Sequence, residues 1–235
     1  MMKQGSIESG ELLPVLQRAT HEELKAIAEA INKSFDVFIT WDSRYYRHSD
    51  DLTQIPEVIA EYLCRSGGHS LVNLWRGGGP DYAECVRDVC EMLKVRPLPD
   101  DMPVIDMEIA LLRDLLNKAR VSLPAAEQEM LRQKMEEVAG GRTGWEEMLK
   151  GGAQFTTIAT SAFAFLGQQA VRKGVLVIGQ QFAGRLSLSV LGPMGIVLGV
   201  IWTANSIADP SYHGLVPAIM QVALLRQRML NGLSL

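Results

Sequence analysis

Gly68-His69-Ser70-Leu71 is the first place where the residue types of a nucleophile site stand together. A hydrolase serine sits on a strained strand-to-helix turn, with glycines two places before and two places after it, where a side chain would clash. Here Val72 occupies the second of those places, and the residues upstream read as helix, so Ser70 reads instead as an N-cap. Arg76-Gly77-Gly78-Gly79-Pro80 and Gly140-Gly141-Arg142-Thr143-Gly144 have the glycine content of a phosphate loop. Both lack the Lys-Ser/Thr pair that reaches the terminal phosphate and its metal, and Pro80 removes a backbone donor. They read as turns.

Metal and acid–base chemistry fare no better. His21, His48, His69 and His213 form no i, i+4 pair, and Cys85 and Cys90, five apart, have no recognisable ligand spacing. Asp81, Asp88, Asp106 and Glu108 read as solvated helix faces, and His21 as part of a solvated first turn. The sequence therefore predicts no catalytic, metal-binding or cofactor-binding residues and a protein that is not an enzyme. Three cysteines, Cys64 among them, cannot all pair, which suits a reducing cytoplasm. The polar stretch Met1 to Gly10 lacks the basic start and apolar core of an export signal.

The elements that would position any site are helical. The chain has 235 residues, 47% of them apolar, enough for a packed core. Thr20 and Glu23 make a capping box ahead of Leu24, Ile27, Ala28 and Ile31, and a short helix over Glu11 to Arg18 precedes it. Pro56 starts a helix carrying Ile59, Tyr62 and Leu63, and Pro80 another whose Tyr82, Val86, Val89 and Leu93 share a face. Met107 to Arg120 supplies Ile109, Leu111, Leu112, Leu115 and Leu116, and Pro124 to Val138 a charged helix with Met130, Leu131 and Met135. The aromatic run Phe35 to Arg47 is the one place where a short strand is expected. The pattern predicts an all-α multi-helix bundle with an apolar C-terminal helical hairpin, divided into a short N-terminal helical domain (1–48), an acidic soluble domain (49–150) and an apolar region (151–235).

Charge divides the chain sharply. Up to Lys150 there are 18 basic and 26 acidic residues; beyond it Arg172, Lys173, Arg185, Arg226 and Arg228 face one acid, Asp209. An overall charge of −4 argues against nucleic-acid binding. Gly151 to Val171 and Leu186 to Ala208 carry no charge over about 21 and 23 residues, long enough in principle to cross a bilayer. Gln154, Gln168 and Gln169 weaken the first as a span, and Gly192-Pro193 and Gly195 interrupt the second. The expected partner is a membrane surface or bilayer, with Phe155, Phe163, Phe165, Ile196, Val197 and Trp202 giving apolar contact and Arg172, Lys173 and Arg185 meeting headgroups. Insertion of both segments as a hairpin would perturb or permeabilise the bilayer. The location that follows is the cytoplasm, peripheral to the inner membrane or inserted in it.

Three blocks carry a family resemblance. One is Gly67-Gly68-His69-Ser70-Leu71 with Asn73, Arg76 and Gly77, followed by Tyr82 and Asp88-Val89. A second is Gly192-Pro193-Met194-Gly195 through Trp202, then Pro210 and Tyr212, closing on Pro217 and Gln221 to Arg226. The third is the helix pair Leu12 to Leu24. Together they resemble the YaaW-type family of bacterial proteins, grouped with a ubiquinol-cytochrome c chaperone-like domain and often opening with a short helical domain. The family pattern has Arg after the tyrosine, where this chain has His213. The resemblance implies an all-helical fold and a second role, a chaperone or assembly factor sheltering a hydrophobic protein client. Met92, Met102, Met107, Met130, Met135 and Met148 are adaptable enough to line a groove for it.

Overall fold

Thr20 ends the first connection as its residue type requires. Its hydroxyl accepts from the Glu23 N–H while the Glu23 carboxylate accepts from the Thr20 N–H at 2.8 Å, so two orphan donors at the helix start are satisfied. The computed structural model describes residue 7 and residues 10–32, 38–67, 81–121, 123–141, 144–150, 152–172 and 212–232. Among these the secondary structure is helical, without strands. The helices are α1 (Leu13–Leu16), α2 (His21–Ile31), α3 (Ser43–Arg47), α4 (Pro56–Ser66), α5 (Tyr82–Met92), α6 (Val104–Val121), α7 (Ala125–Ala139), α8 (Trp145–Met148), α9 (Ala153–Arg172) and α10 (Tyr212–Leu230). Short 3-10 turns cover Ile39–Trp41 and Leu52–Gln54.

The strand expected in the aromatic run does not form over residues 38–47. Asp42 is the reason: its carboxylate accepts from the Arg44 N–H at 2.7 Å and holds the Arg44 guanidinium, which favours a helix start over an extended chain. Phe38 and Trp41 stack at 4.5 Å on the preceding 3-10 turn, with Trp41 largely exposed. His21 also departs from expectation. It is half-buried, and its Nδ1 accepts from the Leu52 N–H at 3.1 Å, which ties the start of α2 to the second 3-10 turn.

The chain forms two compact units. The first combines residues 1–111 with 208–230. Its central element is α10, which packs on α2 and also meets α1, α4 and α5. Twelve residues of α10 are buried, from Gly214 to Gln227, so the helix is apolar nearly all round and must lie inside its unit. Around it Leu24, Ile27 and Ile31 of α2, Ile59 and Leu63 of α4, and Val86 and Val89 of α5 are fully enclosed. The helix beginning near Pro80 is capped by Asp81, whose carboxylate accepts from the Glu84 N–H, so Asp81 is a cap and not merely a solvated charge.

The second unit comprises residues 112–207 and 231–235. Here α9 lies along α7, and α8 touches both. Leu131 and Met135 of α7 and Phe155, Ile158, Ala159, Ala162 and Phe163 of α9 are all enclosed where these two helices pack. Arg113 sits over the Phe155 ring at 5.5 Å and Arg120 over Trp145 at 4.9 Å, while the Trp145 indole donates to Asn117 at 2.5 Å. Gly140, with φ of +78°, supplies the left-handed residue that ends α7. Among the described residues no helix is long and apolar enough to cross a membrane. From Ala153 the uncharged stretch forms α9, whose outward Gln154, Thr157 and Thr160 make it too polar to span.

Candidate functional site: a buried tyrosine, glutamate and arginine

Three ionisable side chains from three helices meet in the first unit. Tyr82 opens α5, Glu108 lies one turn into α6, and Arg226 stands near the end of α10. Glu108 and Arg226 are both fully enclosed. The Tyr82 hydroxyl donates to Glu108 Oε1 at 2.6 Å. Arg226 Nε donates to Glu108 Oε1 at 3.2 Å and Oε2 at 2.9 Å, and the guanidinium lies 5.8 Å from the centre of the Tyr82 ring.

The other face of the guanidinium serves the backbone. Nη1 donates to the carbonyls of Ile7 and Glu11, each at 3.0 Å, and Nη2 to that of Gly10 at 3.1 Å. Gly10 can present its carbonyl this way because it has φ of +85° and because a Cβ there would stand 2.9 Å from the Val104 Cβ. Arginine suits the position, since its planar fork can serve a carboxylate and several carbonyls at once and stays charged when buried. Burial pushes the Glu108 carboxyl up against the pull of Arg226 and Tyr82, and burial together with the Glu108 charge raises the Tyr82 phenol well above its usual range. Tyr82 is therefore the donor of that pair.

What this cluster does is fix positions. The donors of Tyr82 and the Nε and both terminal nitrogens of Arg226 are engaged with protein acceptors, and the group is sealed from solvent. It clamps α5, α6 and α10 to the N-terminal segment. Around it other motif residues of α10 also act in packing. Pro217 is buried, Tyr212 and His213 are half-buried, and Gln221 reaches the Ala26 carbonyl at 3.5 Å. Arg228 pairs with Glu23 at 2.5 Å on the α2 side.

Of the motif residues, Tyr82 and Arg226 thus come together, whereas Gly68, Ser70, Asn73, Arg76, Gly77, Gly192, Pro193, Gly195 and Pro210 lie outside the described residues. Of the residues expected to touch a membrane or client, Phe155 and Phe163 are enclosed in the second unit and Phe165 is half-buried. Arg172 ends α9, its side chain outside the described set, as are Lys173, Arg185, Ile196, Val197 and Trp202. The apolar hairpin falls mostly on the same undescribed stretch. Among the methionines Met107, Met135 and Met148 are core, while Met130 is exposed.

Glu108 corrects the reading of it as a solvated acid. The signal is its spacing: Glu108 falls three, four and seven places before Leu111, Leu112 and Leu115, on the buried stripe of α6, whereas Ile109 is only half-buried. A carboxylate on an apolar stripe needs a partner, and Arg226 supplies it from 118 residues away.

The chain is similar to proteins of Helicobacter pylori that carry the name UPF0174 protein. One from strain J99 is 28% identical over 231 residues, covering 94% of this chain and 87% of the relative. One from strain 26695 is 27% identical over 202 residues, covering 81% of this chain and 97% of the relative. A second from strain J99 is 26% identical, covering 80% and 95%. No family model matches the chain, and no solved structure matches it.

Proposed function

We propose that the protein is a non-enzymatic helical protein whose apolar C-terminal region binds a membrane surface. The observation that supports this most is the charge division at Lys150, beyond which Arg172, Lys173 and Arg185 punctuate long uncharged runs. Since Phe155 and Phe163 are spent on the core of the second unit, the contact falls to the stretch that opens with Arg172-Lys173 and includes Arg185, Ile196, Val197 and Trp202. Basic residues near an anionic surface contribute about 1 kcal/mol each, and tryptophan favours the headgroup level. Binding on the surface asks less of this sequence than spanning, given Gly192-Pro193 and Gly195.

The test is co-sedimentation of the full chain with anionic vesicles, beside a variant carrying Arg172→Glu, Lys173→Glu and Arg185→Glu. The expected result is binding that falls by at least about 100-fold in the variant and weakens with salt. Equal binding by both chains, or none by either, overturns the reading. A soluble complex with an apolar protein client in place of vesicle binding would favour the assembly-factor role implied by the family resemblance.

A further inference from the structure

Cys64 lies in the last turn of α4 and Cys85 in the first turn of α5, and these helices pack on each other. The Cys85 thiol donates to the Cys64 carbonyl oxygen at 3.6 Å, which places its sulfur beside the Cys64 residue. The approach is close because position 67 is glycine: a Cβ there would stand 2.4 Å from the Cys85 sulfur and 3.0 Å from its Cβ. Cys64 is half-buried, whereas Cys85 is enclosed. The third thiol, Cys90, is enclosed elsewhere, with its sulfur 3.7 Å from the Met107 carbonyl.

We propose that Cys64 and Cys85 form an oxidisable dithiol, in which a hydroperoxide reacts at Cys64 and Cys85 resolves the product to an intramolecular disulfide. The two thiols have unlike roles. The neighbouring Cys85 thiol draws the Cys64 pKa down, against burial and the charge of Asp81. The same interaction with Cys64, and burial, hold the Cys85 proton in place. Cys64, the more exposed of the two residues, is therefore the nucleophile.

The Cys64 thiolate attacks one peroxide oxygen, the O–O bond breaks, and the departing oxygen takes a proton and leaves as water (an alcohol for an organic peroxide). Cys64 is then a sulfenic acid. The Cys85 sulfur attacks the Cys64 sulfur, the S–S bond forms, the S–O bond breaks, and the hydroxyl leaves as water with the Cys85 proton. Two thiols give up two electrons, and one peroxide accepts them. Such a bond in a reducing compartment would be transient and regulatory.

The experiment treats the reduced full-length protein with hydrogen peroxide, blocks remaining thiols with N-ethylmaleimide in denaturant, and reads intact mass and linked peptides. The expected product has lost about 2 Da, takes up one maleimide at Cys90, yields a Cys64–Cys85 linked peptide, and reverts with dithiothreitol. Cys64→Ser should abolish the link and Cys90→Ser should leave it unchanged. Three maleimides after peroxide treatment, a link through Cys90, or only higher oxides of Cys64 would each overturn the proposal. The peptide map of the wild-type protein decides the matter without relying on any variant.

Discussion

Arg226 Nε lies 2.9 Å from Glu108 Oε2 with both side chains sealed from water, although 118 residues separate them. An enclosed ion pair is a poor source of net stability but a severe liability when halved, because the survivor keeps its desolvation cost without its partner.

Glu108→Gln and Arg226→Met should each therefore lower the unfolding free energy by about 3–5 kcal/mol. The double variant Glu108→Leu with Arg226→Met should be less destabilised than the sum of the single changes. Urea unfolding arranged as a double-mutant cycle checks this, and additivity would show that the two groups do not act as a pair.

A chain ending at Lys150 should fail to fold its first unit. It lacks α10, the helix against which α1, α2, α4 and α5 pack, and it leaves Glu108 buried without Arg226. Circular dichroism in rising urea should show a shallow, non-cooperative loss of helix where the full chain gives a sharp transition. A sharp transition in the truncated chain would rule out α10 as the keystone.

Much of this architecture is legible in the sequence, and the failures have a common cause. Thr20 and Glu23 announce their helix because a capping box is local, and Tyr82, Val86, Val89 and Leu93 announce their face because helical periodicity is local. Glu108 and His21 depart from their expected exposure because their partners, Arg226 and the Leu52 N–H, are distant in the chain and no spacing rule connects them. At Asp42 a single capping carboxylate outweighed the strand preference of the aromatic residues around it. Tyr82 and Arg226 stand in the sequence as parts of a motif; that they touch a common carboxylate is visible only in three dimensions.

Acid should weaken the first unit partly through Glu23. Burial works to raise this carboxyl, but the hydrogen bonds and charge of Arg228 and the Thr20 N–H outweigh it, so the group sits below its ordinary 4.5. A carboxyl depressed on folding lends stability that is present above its unfolded pKa and is lost as pH falls through the folded one. Below about pH 4.5 the urea midpoint of the wild-type chain should therefore drop more steeply than that of Glu23→Gln. Parallel profiles would show that the Arg228 pair contributes nothing.

Gly67→Ala should cost about 1–3 kcal/mol, because the new methyl would fall 2.4 Å from the Cys85 sulfur in a packed interface. Adding Cys85→Ala removes the atom in the way and should recover part of that loss in thermal unfolding. No recovery would place the strain in the backbone and not at the sulfur.

Because α10 lies far downstream of the helices it covers, the first unit is completed only once residues 208–230 have been made. Roughly 100 residues separate Leu111 from Tyr212, about 5–20 s of translation at ordinary rates. For that interval the apolar faces of α1, α2, α4 and α5 emerge without the helix that covers them, and a carboxylate destined for the interior waits for its cation. The nascent chain is thus exposed to aggregation until Tyr212–Leu230 have left the ribosome.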